Sequence, residues 1–240
     1  MASHPVISTA IDRPSEASPK SLVSAAYRSL RKDIIEGRLA PGSKLRAEHL
    51  KDIYNVGAGT LREALALLAS DALVVMQEQR GFRVAAMSYA DFQDITETRV
   101  VLECHALRLA IQAGDDQWEC ELIGAFHMLN LAEQRFQKNR TEMFEEWEMA
   151  NKRFHEALIS RCDTLWTERF LKILYSQAER YRRFLLPKRP EARDVHEEHK
   201  AIFNAAMARD PNTACDLLSA HIRYNLDNYK NVDEKSTITL

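Results

Sequence analysis

Apolar residues recur at helical spacing along most of the chain, and the exceptions cluster in its first third. Over residues 21–36 they fall at Leu22, Ala26, Leu30, Ile34 and Ile35, one face of a helix that Gly37 closes. Pro41-Gly42 marks a turn within "RLAPGSKL". A short helix is predicted over 46–54 with Leu50 and Ile53 inward. A third helix follows over 60–70, its stripe formed by Leu61, Ala64, Leu65 and Leu68. The segment "ALVVMQEQRGFRVAAM" breaks this rhythm. β-branched residues flank a polar stretch that ends in Gly81, which predicts a two-stranded hairpin.

Beyond Met87 the pattern is helical throughout. "SYAD" (Ser88 to Asp91) has the form of a capping box, and a helix runs from it to about residue 113, where Gly114-Asp115-Asp116 interrupts. Further helices are predicted near 116–138, 142–161, 164–186, 193–208 and 211–230, the last opened by Asp210-Pro211. The expected fold is mainly α. A loose tail over 1–20 precedes a winged helix-turn-helix over 21–87. An all-α helical bundle over 88–232 follows, with a short tail over 233–240.

Composition refines this picture. The chain has 240 residues, 45% of them apolar and 28% charged, as in a globular protein. No stretch approaches the length of a membrane span, and the first 20 residues lack the apolar centre of a secretory signal. Cys104, Cys120, Cys162 and Cys215 show no CxxC spacing and read as free thiols, so a cytoplasmic location is expected. The formal net charge of −2 hides a mild asymmetry. Residues 1–87 hold 12 basic and 9 acidic residues, whereas the remainder holds 21 and 26. That distribution permits a DNA-facing first domain.

A recognition helix must enter the major groove, roughly 12 Å wide. Gly57-Ala58-Gly59 ahead of the third helix would let backbone N–H groups approach a phosphate, favoured by the helix dipole. Thr60 and Arg62 then stand at the leading end, where such helices touch base edges. Spacing alone also allows a plain tight turn followed by a solvated arginine.

Several groups in the bundle could form a second site. Asn151 and His155 are one helical turn apart, and His199 and His221 lie on later helices. Three imidazoles and an amide oxygen could hold a divalent metal, zinc or similar, inside a bundle. Five other histidines show that packed or exposed imidazoles would explain the same residues. Arg99, amid valines and leucines, could bind a carboxylate or simply pair with Glu103. "QAERYRRFLL" adds Tyr181 and Arg182, which could face a ligand, a partner or water. Trp118, Trp147 and Trp166 are most simply core or interface residues.

Together these features resemble the GntR family of transcriptional regulators, of the FadR type with an FCD effector domain. The resemblance rests on "LRKDIIEGRLAPGSKL", on "TLREAL" followed by "DALVVMQEQRGFRV", on "ETRVVLE", and on "NKRFHEAL … EEHKAIFNAAMARD … AHI". It implies DNA contacts by Arg46, Gly59, Thr60, Arg62, Arg80 and Gly81. It also implies a metal held by Asn151, His155, His199 and His221, and effector contacts by Arg99, Tyr181 and Arg182. Two departures stand out. Gly57-Ala58-Gly59 replaces the usual arginine and serine or threonine, which shifts specificity toward Arg62, Arg46 and DNA shape. Asn151 stands where an acidic ligand is usual, and a neutral amide is the weaker ligand. "GAGTLREAL" and "GDDQWECELIGAFHML" are most similar to the carbon-starvation-induced, glutarate-responsive repressor branch, which implies a small dicarboxylate effector.

The expected protein is thus a homodimeric repressor of catabolic genes, not an enzyme. It would bind a palindromic operator in double-stranded DNA and be released by a small carboxylate, without membrane attachment. Two rivals remain at this level. One is a metal-dependent hydrolase-like enzyme in the helical domain, which leaves the winged domain without a purpose. The other is an architectural protein with sequence-blind DNA binding.

Overall fold

The computed structural model describes residues 19–77, 81–185 and 194–237. Helices α1 (Pro19–Ile35), α2 (Ala47–Tyr54) and α3 (Ala58–Ser70) pack with strands β1 (Lys44–Leu45), β2 (Val74–Gln77) and β3 (Gly81–Val84). Their shared core includes Leu30, Leu61, Leu65, Leu68 and Leu73, each with no exposed surface. The turns follow from local backbone needs. Gly37 after α1 and Gly42 after Pro41 both have positive φ, at 77° and 73°. Asn55 ends α2 in the left-handed conformation, and its N–H donates to the Lys51 carbonyl.

Three details differ from the sequence-based expectation. The wing is a three-stranded antiparallel sheet of order β1-β3-β2, with Leu45 opposite Phe82 and Val74 opposite Val84. Strand β1 is two residues long, too short to leave a period-two signal. Helix α3 starts two residues early, so Ala58, Gly59 and Thr60 form its first turn behind the N-cap Gly57. Ile53 faces outward with 70% exposure, because the eight-residue α2 buries only the face that carries Leu50.

Among the described residues, six helices build the second domain: α4 (Tyr89–Ala113), α5 (Asp116–Lys138), α6 (Phe144–Leu158), α7 (Leu165–Leu185), α8 (Val195–Met207) and α9 (Pro211–Thr237). Side-chain caps start α4, α5 and α9. Ser88 Oγ accepts from the Asp91 N–H at 3.1 Å, Asp115 Oδ1 from Trp118 at 2.8 Å, and Asp210 Oδ1 from Thr213 at 3.1 Å. Helix α9 extends to Thr237 and takes in part of the expected C-terminal tail. Trp118 and Trp147 are core residues, whereas Trp166 is 64% exposed. No helix among the described residues is long and apolar enough to cross a membrane.

The two domains meet along α7. Ser176 Oγ accepts from Arg31 Nη2 at 2.6 Å, and Gln177 Nε2 donates to the Asp71 carbonyl at 3.0 Å. Arg180 Nη2 donates to the Ala85 carbonyl at 2.6 Å, just past the wing.

Candidate DNA interface and metal centre

The amino end of α3 is open. A Cβ built on Gly57 or Gly59 would meet nothing within 4 Å. The first-turn N–H groups there have no helical acceptor, which suits a phosphate. Gly59 is exposed and Thr60 half-buried. Arg62 follows on the same helix, its side chain 61% exposed and 3.5 Å from Glu48 Oε1. A pair so exposed holds the guanidinium weakly and leaves it available. Arg46 is exposed just ahead of α2. It lines one cleft together with Lys44, His49, Arg62, Gly81 and Phe82. The structure therefore brings Arg46, Arg62 and Gly81 to one surface. Arg80 lies outside the described residues. Arg83 is half-buried and already engaged, with Nη1 donating to the Gly42 carbonyl at 2.8 Å and Nε to Gln77 at 3.0 Å.

In the bundle, α6 supplies Asn151 and His155, α8 supplies His199 and α9 supplies His221. All four residues are buried, at 8% exposure or less. One ligand atom from each histidine lies within 4.8 Å of those of the other two. Each imidazole is backed by a carboxylate. His199 Nδ1 lies 2.6 Å from Glu133 Oε1, and His221 Nδ1 lies 2.7 Å from Glu198 Oε2. His155 Nδ1 lies 3.4 Å from Glu103 Oε2, without hydrogen-bonding geometry. Carboxylates behind ring nitrogens orient imidazoles toward a metal and raise their basicity. His199 Nε2 is buried with no hydrogen-bond partner. An orphaned buried nitrogen is costly unless something binds it. Three imidazoles beside an amide are a donor set suited to zinc or a similar ion. The residues present therefore fit a divalent metal.

Arg99 and Arg182 line the same cavity as Asn151, His155, His221 and Asn225. Both arginines already hold a carboxylate. Arg99 Nε donates to Glu103 Oε1 at 2.8 Å, and its guanidinium lies 4.7 Å from the centre of the Tyr175 ring. Tyr175 in turn donates to Glu103 Oε2 at 2.9 Å. The bond to Glu103 engages one of five guanidinium donors. Arg182 forms a two-bond fork with Glu148, with Nε to Oε2 at 3.0 Å. Burial works against the charge on Glu103, but Arg99, His155 and Tyr175 outweigh it and hold the carboxyl at about 2. Burial likewise opposes the charge on Arg182, and Glu148 more than restores it. Burial is the main cause that draws His155 below the ordinary histidine range, which favours the neutral, metal-binding form.

Tyr181 is a correction. It does not line this cavity. Its hydroxyl accepts from the Ser88 N–H at 3.0 Å and donates to Asp91 Oδ2 at 2.6 Å, and its ring stacks on Phe92 with centroids 4.1 Å apart. One residue along a helix turns by about 100°, so Arg182 faces the cavity while Tyr181 faces the start of α4. Sequence reasoning missed Glu133, Glu198, Glu148, Asn225 and Trp147. Asn225 alone carried a usable signal, since it follows His221 by one helical turn as His155 follows Asn151.

Comparison with known proteins gives the same partition. Residues 22–84 match the model described as bacterial regulatory proteins, gntR family, and residues 94–224 match the FCD domain. The chain is 48% identical over 210 residues to the HTH-type transcriptional regulator BphR of Paraburkholderia xenovorans (strain LB400), covering 88% of this chain and 86% of that one. It is 34% identical over 200 residues to the HTH-type transcriptional repressor GlaR of Escherichia coli (strain K12), covering 82% and 90%. The solved structure of E. coli McbR/YncC superposes with a TM-score of 0.71 at 21% identity, covering 88% of this chain and 98% of that one, which shows a common fold. This chain belongs to the GntR family of HTH transcriptional regulators, with an FCD domain as its helical half.

Proposed function

We propose that this protein is a cytoplasmic, homodimeric repressor of the FadR type, released from a palindromic operator by a small dicarboxylate. One observation carries the reading. Arg99 and Arg182 border the cavity that also receives Asn151, His155 and His221. A metal held by His155, His199 and His221, with Asn151 beside them, would supply a positive centre for one carboxylate. Arg99 and Arg182 offer planar donor arrays for the other. At the DNA end, Arg62 would read a base edge, while Arg46, Gly59, Thr60, Arg80 and Gly81 would contact the DNA beside it.

Helix α7 links the two ends. It carries Tyr175 and Arg182 beside the cavity, and Ser176, Gln177 and Arg180 against the winged domain. A ligand that draws Arg182 from Glu148 would shift this helix and with it the recognition helix. Leu165, Trp166 and Phe170, each more than half exposed at the start of α7, give an apolar surface suited to a second copy.

The test selects bound sequences from a random DNA pool with metal-loaded protein, then adds four- to six-carbon dicarboxylates. A palindromic motif that one diacid releases is expected. Arg99→Ala and Arg182→Ala should keep the motif and lose the release. Sequence-blind binding, or release that survives both substitutions, would refute the reading.

A further inference from the structure

Helices α4 and α9 pack along one another, and each presents a buried cysteine at the contact. Cys104 Sγ lies 3.6 Å from the Cys215 carbonyl oxygen, and Cys215 Sγ lies 3.4 Å from that of Cys104. Each sulfur therefore lies against the backbone of the other cysteine, so the two side chains share one helix contact. Each thiol thus donates to the other cysteine's carbonyl. Ser219 Oγ stands 3.3 Å from Cys104 Sγ. Cys162, by contrast, lies 3.1 Å from Thr164 Oγ1, and Cys120 is exposed.

We propose that Cys104 and Cys215 are a peroxide-reactive pair that closes to a disulfide joining α4 to α9. The two sulfurs have unequal roles. The neighbouring Cys215, then the Ser219 hydroxyl 3.3 Å away, outweigh burial and draw the Cys104 thiol below the ordinary cysteine range. The same pairing pushes the Cys215 thiol up. Cys104 therefore supplies the thiolate, the nucleophilic form. Its sulfur attacks one oxygen of hydrogen peroxide, the O–O bond breaks, and hydroxide leaves to become water. The Cys215 sulfur then attacks the resulting sulfenic acid. The S–O bond breaks, and the departing hydroxide takes the Cys215 proton as a second water. Two thiols lose two electrons and one peroxide gains them.

The bond would tie together two walls of the cavity already described. Arg99 and Glu103 lie on α4 within five residues of Cys104, and His221 and Asn225 lie on α9 beyond Cys215. Oxidation would thereby fix the spacing of the helices that bracket the bound ligand. The chemistry itself does not depend on what that ligand is.

The experiment treats the full native chain with hydrogen peroxide, blocks remaining thiols under denaturing conditions, and digests with trypsin. The expected product links peptide 100–108 to peptide 210–223 and disappears with dithiothreitol. The oxidised chain should melt several degrees higher than the reduced one, and Cys104→Ser should abolish that difference. Cys215→Ser should leave a dimedone-reactive sulfenic acid on Cys104. If Cys104 and Cys215 both stay alkylatable at a peroxide dose that oxidises Cys120, the pair is not a redox site. Linkage that forms only in denaturant would overturn the proposal equally. Dimedone capture on Cys215 alone would reverse the assigned roles.

Discussion

Arg180 reaches out of the helical domain and donates to the Ala85 carbonyl, one residue past the wing, at 2.6 Å. Its second amino group donates to Gln177 Oε1 at 2.9 Å, and Gln177 itself donates to the Asp71 carbonyl beyond α3. Arg180 is 3% exposed, and burial holds its pKa below the usual arginine range. A buried guanidinium between domains is expensive unless its donors are used, and here they grip the backbone that carries the recognition helix and wing. The neighbouring Arg182 faces the cavity instead. Two arginines two residues apart thus connect opposite sides of one helix to the two halves of the molecule.

That arrangement predicts an uncoupled variant. Arg180→Met should bind the operator nearly as well as the parent but lose the ligand's effect on that affinity, which is about 5- to 150-fold in coupled systems of this kind. Stability should fall by roughly 1–3 kcal/mol, because the Ala85 carbonyl loses its partner. Operator titration with and without the releasing diacid measures both affinities. An unchanged ratio between them would exclude α7 as the link.

The exposed Arg62 predicts a clean separation of binding from folding. Arg62→Ala should weaken operator binding by about 1–3 kcal/mol and relax preference at one base pair per half-site. Its melting temperature should stay within the change expected of a surface substitution, about 0.5 kcal/mol. Mobility-shift assays on single-base operator variants, beside a thermal melt, check the two halves of this statement.

The three backed imidazoles predict one divalent ion per chain. Substituting His155, His199 and His221 together with Gln should remove it, as read by elemental analysis. Glu133→Gln should lower metal affinity by about 10- to 100-fold while the helices persist by circular dichroism, since Glu133 orients His199 from behind. Metal content that survives the triple substitution would place the ion elsewhere.

The pH response follows from His155. Burial, above all, lowers its proton affinity in the folded chain relative to the ordinary value of 6.5. Below that value the unfolded chain takes up the proton first, so stability is full above it and falls as pH drops further. Metal-stripped protein should therefore melt at progressively lower temperature as pH falls below about 6.5, and His155→Leu should flatten that slope. Metal-loaded protein should fall more steeply, because protons compete for the ligand nitrogens. Glu103, held at about 2, adds a separate acid loss. Its contribution is present above its unfolded value of 4.5 and disappears as pH falls toward 2. Melting temperatures that do not change between neutral pH and pH 5 would contradict the burial of a neutral imidazole.

Periodicity, capping residues and turn residues are local properties, and they were legible in the chain. The stripe through Leu61, Leu65 and Leu68, the caps at Ser88 and Asp210, the break at Gly114-Asp115 and the turn at Pro41-Gly42 all appear where the residues put them. His155, His199 and His221 are singled out by the family resemblance, since spacing alone allows packed or exposed imidazoles equally well. What the chain could not display was distance between helices. Strand β1 exists only because Leu45 finds Phe82 across the sheet. Glu133 and Glu198 matter because the bundle sets them behind imidazoles, one of them 66 residues away. Tyr181 and Arg182 are neighbours of similar promise in the sequence. The direction in which each leaves α7, and the core each meets, sent one to the domain seam and the other to the cavity. Local free energies select elements residue by residue, whereas a site is selected by packing, which depends on every helix at once.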